Sequence, residues 1–182
     1  GVSVIALAAC QQTRVQSMDI ERVHADILTL DTHVDIPLNY MTEIDPAGPT
    51  DLQVDLEKLK TGGLDAAFFI VYTPQGELTD GGYAAASKIA ETRIKAIHQM
   101  AQANETSITF AQTVGEVRAA DSEGKLIALV GMENAFPLGA SVEDVPIWAK
   151  RGIRYMGITH FGHNQFGDSS NPHPERDDGP RH

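Results

Sequence analysis

Two kinds of stretch alternate along this chain. Residues 64–72, once past Asp65, and residues 126–132 form continuous apolar runs, whereas residues 82–103 place Ala86, Ile89, Ala90, Ile94 and Ile97 at helical spacing. A run apolar on both faces predicts a buried strand, and a 3.6-residue recurrence predicts a helix with one face on a core. Read this way, the chain has strands at 27–31, 64–72, 107–110, 126–132 and 153–159. Helices fall at 18–25, 52–60, 82–103, 114–120 and from Ser141 or Glu143 through Trp148. Ser17 caps the first helix with Glu21 near the capping-box position, Gly62-Gly63 stops the second, and Gly152 ends the last.

Strands that alternate with helices predict an α/β fold whose parallel sheet is covered on both faces. Five such units read as the N-terminal portion of a (β/α)8, TIM-type barrel, since an open five-stranded sheet leaves an unpaired edge. A flavodoxin-like sheet is the complete alternative, but no Gly-rich phosphate loop follows the first strand. From Gly167 onward almost nothing is apolar and Pro172, Pro174 and Pro180 interrupt the chain, so this stretch reads as loop.

Composition narrows the function. With 42% hydrophobic residues in 182 the chain is globular. Its 25 acidic against 14 basic residues give a net charge of −11, and no Lys/Arg-rich helix stands out, which speaks against nucleic acid as a partner. Cys10 is the sole cysteine, so no intrachain disulfide forms. It closes the short apolar run at residues 2–9, and Leu7-Ala8-Ala9-Cys10 resembles the lipobox of bacterial lipoproteins. Residues 1–17 then read as a truncated lipoprotein-type signal peptide and tether, and 18–182 as the barrel portion. The expected location is the periplasmic side of the cell envelope, with lipid on Cys10 reaching the membrane. A buried first strand with an ordinary core cysteine is the alternative.

Candidate chemistry gathers at the strand ends. His33-Val34-Asp35 follows the first apolar run, and residues two apart in an extended segment point to the same side. Neutral imidazole and carboxylate both suit zinc. A strand-end histidine beside a turn-capping aspartate would look the same. Glu133 follows the buried run at 126–132, where a charge needs a partner that a metal ion would supply, and His160 follows the last strand. Ligand-type side chains at the C-terminal ends of successive strands are the layout of an α/β-barrel active site. His24 and His98 lie on predicted helices, His173 and His182 in the polar tail, and His163 near the presumed mouth, none with an assigned role; Tyr72 and Asp168 also end there.

These motifs together resemble the membrane (renal-type) dipeptidase family. The resemblance is carried by residues 31–37 (Asp-Thr-His-Val-Asp-Ile-Pro), Gln53-Val54-Asp55-Leu56, Gly62-Gly63, residues 131–135 (Gly-Met-Glu-Asn-Ala) and residues 154–160 (Arg-Tyr-Met-Gly-Ile-Thr-His), in the family's order and spacing. It implies a metal-dependent barrel hydrolase that cleaves dipeptides with two Zn2+ ions. His33 and Asp35 would ligate one zinc, Glu133 bridge both, and His160 contact the substrate carbonyl. A dipeptide substrate and a second copy of the chain in a homodimer are the implied partners. Thr32 and Val34 stand where the family usually has Gly and Asn. The family's second-zinc histidines, substrate-binding arginine and late catalytic aspartate would lie beyond residue 182, so the chain alone is expected to be inactive. A barrel hydrolase of cyclic amides or esters, which more often uses His-x-His, and a non-catalytic lipid-anchored domain are the competing readings.

Overall fold

The longest run of small and branched apolar residues becomes the middle of the sheet. In the computed structural model, which describes residues 19–172, strand β4 (Leu126–Glu133) pairs with β2 (Ala66–Tyr72) from Ala66 opposite Ile127 to Tyr72 opposite Glu133. Strand β1 (Leu30–Asp35) lies on the far side of β2. The other flank of β4 is shared: β3 (Ile108–Phe110) takes its start and β5 (Ile153–Met156) its end. All pairings are parallel. Chain order is therefore broken once. β3 follows β2 in sequence but sits beyond β4, so β1, β2, β4 and β5 succeed one another as barrel staves.

Helices fill the connections: α1 (Ile20–Asp26), α2 (Leu56–Gly62), α3 (Asp80–Ala103), α4 (Val114–Ser122) and α5 (Val145–Lys150). Caps fix where they start. Asp55 accepts from Lys58 N–H, Thr79 from Gly82 N–H, and Thr113 forms a capping box with Glu116. Gly63 ends α2 in the left-handed region at φ 65°, which suits a residue without Cβ.

Side chains on the two faces of the strands separate into two cores. Ala67, Phe69 and Val71 of β2 with Ala128, Val130 and Met132 of β4 pack against Ala90, Ile94, Ile97 and Met100 of α3. The opposite face carries Ala66, Ile127 and Leu129 with Phe68, closed by Ala120 and Val117 of α4. Glu133 and Gly131 are in step with the second set, so they face the same side as Leu129 and Phe68.

Element boundaries differ from the sequence expectation where side chains tie the backbone. The first strand is expected at 27–31 but runs Leu30–Asp35. Thr29 clasps the start of the neighbouring strand, donating its N–H to Asp65 Oδ2 at 2.7 Å and accepting from Asp65 N–H at 2.8 Å. Ile27 and Leu28 stay exposed, because no strand covers that side among the described residues. The second helix starts at Leu56 rather than 52, since Asp55 holds the cap. The last strand ends at Met156 rather than 159; Gly157 N–H still reaches Met132 O, but Ile158 O turns away to accept from Ala135 N–H. A 3-10 turn at Val142–Asp144 replaces the start of the fifth helix, with Ser141 as its cap. The lipobox-like segment ending at Cys10 and the tail from His173 lie outside the described residues. Among the described residues no helix is long and apolar enough to cross a membrane.

Candidate metal centre

Parallel pairing puts the C-terminal ends of β1, β4 and β5 on one rim, and the expected ligands meet there. His33 Nε2 lies 3.7 Å from Asp35 Oδ1 and 3.5 Å from Glu133 Oε2. The donor atoms of these three residues lie within 4.8 Å of one another, the group of this kind among the described residues. A tetrahedral ion with bonds of about 2.0–2.2 Å sets its ligand atoms roughly 3.3–3.6 Å apart, so the spacing fits one divalent cation. One imidazole nitrogen with carboxylate oxygens is a donor set that such an ion accepts.

A local irregularity aims the pair. In the β1–β2 register Asp31 faces Ala67 and Val34 faces Phe69, so β1 carries one residue more than its partner around Thr32-His33. Bulges bend a strand and re-aim a side chain beside an active site. Here the bulge leaves Val34 in the helix-facing core and turns His33 and Asp35 outward at the rim.

Glu133 sits between two imidazoles. Its Oε2 faces His33, and its Oε1 lies 3.2 Å from His160 Nε2. His160 arrives from the loop after β5 rather than from the strand itself. Its ring packs edge-on to Tyr72, 5.1 Å between centroids, and to Phe161 at 4.2 Å, and Ser169 Oγ donates to its carbonyl. Its Nδ1 is buried without a hydrogen-bond partner among the described residues. His163, by contrast, turns into the loop, where Nδ1 accepts from Ser169 N–H at 3.0 Å and lies 3.3 Å from Asp168. It stays outside the cluster, as expected, and so do His24 and His98.

Four groups in the surroundings have no role assigned from the sequence. Arg93 of α3 is buried and donates to the Ile36 carbonyl just after Asp35. Burial lowers its pKa, which the nearby charge of Asp35 opposes. Tyr72 has its pKa raised by burial and by Glu133. Asn134, in the left-handed region at φ 71°, donates to Thr73 O and accepts from Asn164 Nδ2. Its signal is an asparagine directly after a strand, a residue type that tolerates this conformation. The fourth group, Tyr155, reaches β1 from β5 and hydrogen-bonds the Thr32 carbonyl. Its signal is Gly131, a glycine inside an otherwise bulky strand, which marks a close approach.

A parallel α/β barrel segment with nitrogen and oxygen donors gathered at its strand ends defines a metal-dependent hydrolase scaffold. The sequence model of the membrane dipeptidase family, peptidase family M19, matches residues 18–180, and the chain belongs to that family. It is similar to dipeptidase aclJ of Aspergillus oryzae, 28% identical over 131 residues that make up 70% of this chain and 31% of that protein. It is also similar to dipeptidase ataJ of Aspergillus terreus, 24% identical over 152 residues, 78% of this chain and 37% of that one. The fold matches the crystal structure of the probable dipeptidase PvdM from Pseudomonas aeruginosa with a TM-score of 0.77 at 31% identity, covering 88% of this chain and 41% of that one. The chain thus spans well under half the length of these relatives.

Proposed function

We propose that this chain supplies part of the site of a zinc dipeptidase: His33 and Asp35 hold one zinc ion, Glu133 reaches that ion and a second, and His160 meets the carbonyl of a dipeptide. The observation that carries this reading is the convergence of His33, Asp35 and Glu133, about a hundred residues apart in sequence, at the spacing of a single ion's ligands. The relatives named dipeptidase support a two-residue peptide as substrate.

Zinc, when bound, supplies a water acidified to a pKa of about 7. The residues of this chain would hold the ion that carries that water. Glu133 turns Oε2 to His33 and Oε1 to His160, so its two oxygens would serve different partners. His160 is pressed between Tyr72 and Phe161 with Nε2 toward the cleft, where it can donate to an oxygen on which negative charge develops. Two ions need more donors than residues 19–172 bring together, so the remaining ligands come from elsewhere in the protein. On this reading the 182-residue chain alone binds at most one zinc weakly and does not turn over dipeptides.

Titrating the purified chain with zinc and assaying a panel of dipeptides and lactones tests this. One weakly held zinc, lost in His33→Ala, supports the reading. Dipeptide turnover at the rate of a complete binuclear enzyme overturns the claim of inactivity, and lactone turnover overturns the substrate class. The segment ending at Cys10 supports a lipid anchor at the cell envelope, to be checked by palmitate labelling that Cys10→Ser abolishes. The family resemblance supports a homodimer, to be read by light scattering.

A further inference from the structure

The bulge in β1 leaves Thr32 without a partner in the β1–β2 register. Its carbonyl instead accepts the phenol hydrogen of Tyr155 at 2.7 Å, from a strand 123 residues further along the chain. The ring can lie there because Gly131, opposite Tyr155 in the β4–β5 register, has no side chain. A Cβ on Gly131 would stand 2.5 Å from Tyr155 Cε1 and 2.8 Å from its Oη. Phe68 supports the ring from below, with centroids 5.0 Å apart and planes tilted by 59°. A second bulge, at Arg154 of β5, sets Tyr155 level with Gly131.

With its proton committed to Thr32, the Tyr155 oxygen turns lone pairs toward His33 Nδ1, which lies 3.5 Å away. An Nδ1 that carries hydrogen meets that oxygen favourably, whereas an Nδ1 lone pair is repelled by it.

We propose that Tyr155 is a positioning residue of the metal centre: it pins the bulge at Thr32 and receives Nδ1–H of His33 when the ion is bound, holding the imidazole with Nε2 toward Asp35 and Glu133. This rests on the reading of His33 as a metal ligand. Imidazole ligands are commonly fixed through their second nitrogen, and loss of such a partner lowers metal affinity about 10–100-fold.

The test compares the full chain with Tyr155→Phe, which keeps the ring over Gly131 and removes only the hydroxyl. Proton and nitrogen-15 spectra of the zinc-loaded proteins report the Nδ1–H of His33; His33→Gln assigns the signal. The wild type should show that hydrogen displaced downfield by its hydrogen bond, and Tyr155→Phe should move it upfield. Zinc affinity, read by competition with a chromophoric chelator, should fall roughly tenfold or more at an unchanged melting temperature. Gly131→Ala displaces the ring and should give the same upfield move with the hydroxyl still in the sequence. An unmoved Nδ1–H in Tyr155→Phe overturns the proposal, whatever the affinity does. A wild type that takes up no zinc overturns the ligand reading instead.

Discussion

Asn164 Nδ2 donates to Asn134 Oδ1 at 3.0 Å, and both residues are buried. The pair joins the turn after β4 to the loop after β5, the two segments that follow Glu133 and carry His160. Asn134 also donates to Thr73 O at 3.1 Å, and Asn164 Oδ1 accepts from Phe166 N–H at 2.8 Å. Removing either amide orphans buried partners, which costs about 1–3 kcal/mol. Asn134→Ala and Asn164→Ala should each lower unfolding stability by that amount. The double variant should lose less than the sum, because the two share one network. Urea denaturation of the four proteins in the cycle checks this; strict additivity would separate the two residues.

Acid should loosen the segment before α2. Asp55 is buried, which alone raises a carboxyl pKa, but hydrogen bonds from Lys58 N–H, the Lys58 ammonium and Thr50 bring it down to about 2. A folded pKa below the unfolded one contributes stability above the unfolded value, and that contribution is lost as pH falls through the folded value. The window therefore runs from about pH 4 down to about pH 2. Asp55→Asn should cost about 0.5–2 kcal/mol near neutral pH and flatten the acid limb of the stability curve in that window. Melting temperature against pH for the two proteins is the measurement.

Arg93→Met keeps an unbranched stem in the core and removes the donor to the Ile36 carbonyl. Stability should fall by about 1–3 kcal/mol as that carbonyl loses its partner. The Arg93 Nε is buried without a hydrogen-bond partner among the described residues, so desolvation already works against this side chain. A methionine variant as stable as the wild type would show that burying the guanidinium costs as much as its hydrogen bond contributes.

Zinc should protect the folded chain. A ligand present at about 100 times its dissociation constant stabilises by roughly 2.7 kcal/mol, and the melting temperature rises accordingly. Glu133→Gln and His33→Ala should abolish that rise, while His163→Ala, whose ring turns away into the loop, should retain it. Equal protection in all four proteins would place the ion elsewhere.

Residues 66–72 and 126–132 announce their strands through unbroken apolar character, and helical spacing from Ala86 to Ile97 announces α3. The convergence of His33, Asp35 and Glu133 follows from placing those ends on one rim. What the residues do not reveal is register. The extra residue at Thr32-His33 and the placement of β3 beyond β4 depend on partners distant in sequence. Ile27-Leu28 misleads for a related reason: apolar character marks a strand only where a neighbour covers it, and here Thr29 anchors the backbone first. Tyr155 and Arg93 likewise act through contacts, with β1 and with the residue after it, that no local window contains.

Glu133 owes its aim to the seven consecutive pairings that run from Ala66 opposite Ile127 to Tyr72 opposite Glu133. Side chains alternate along a strand, so a slip of a single position between β2 and β4 would swing this carboxylate into the helix layer and present the thioether of Met132 to the cleft. Loops that carry none of the clustered side chains leave this register alone whatever their length, whereas the loop after β5 brings His160 itself. An insertion inside the central stave has no such latitude: it would turn Glu133 away from His33 while the strands could still pair.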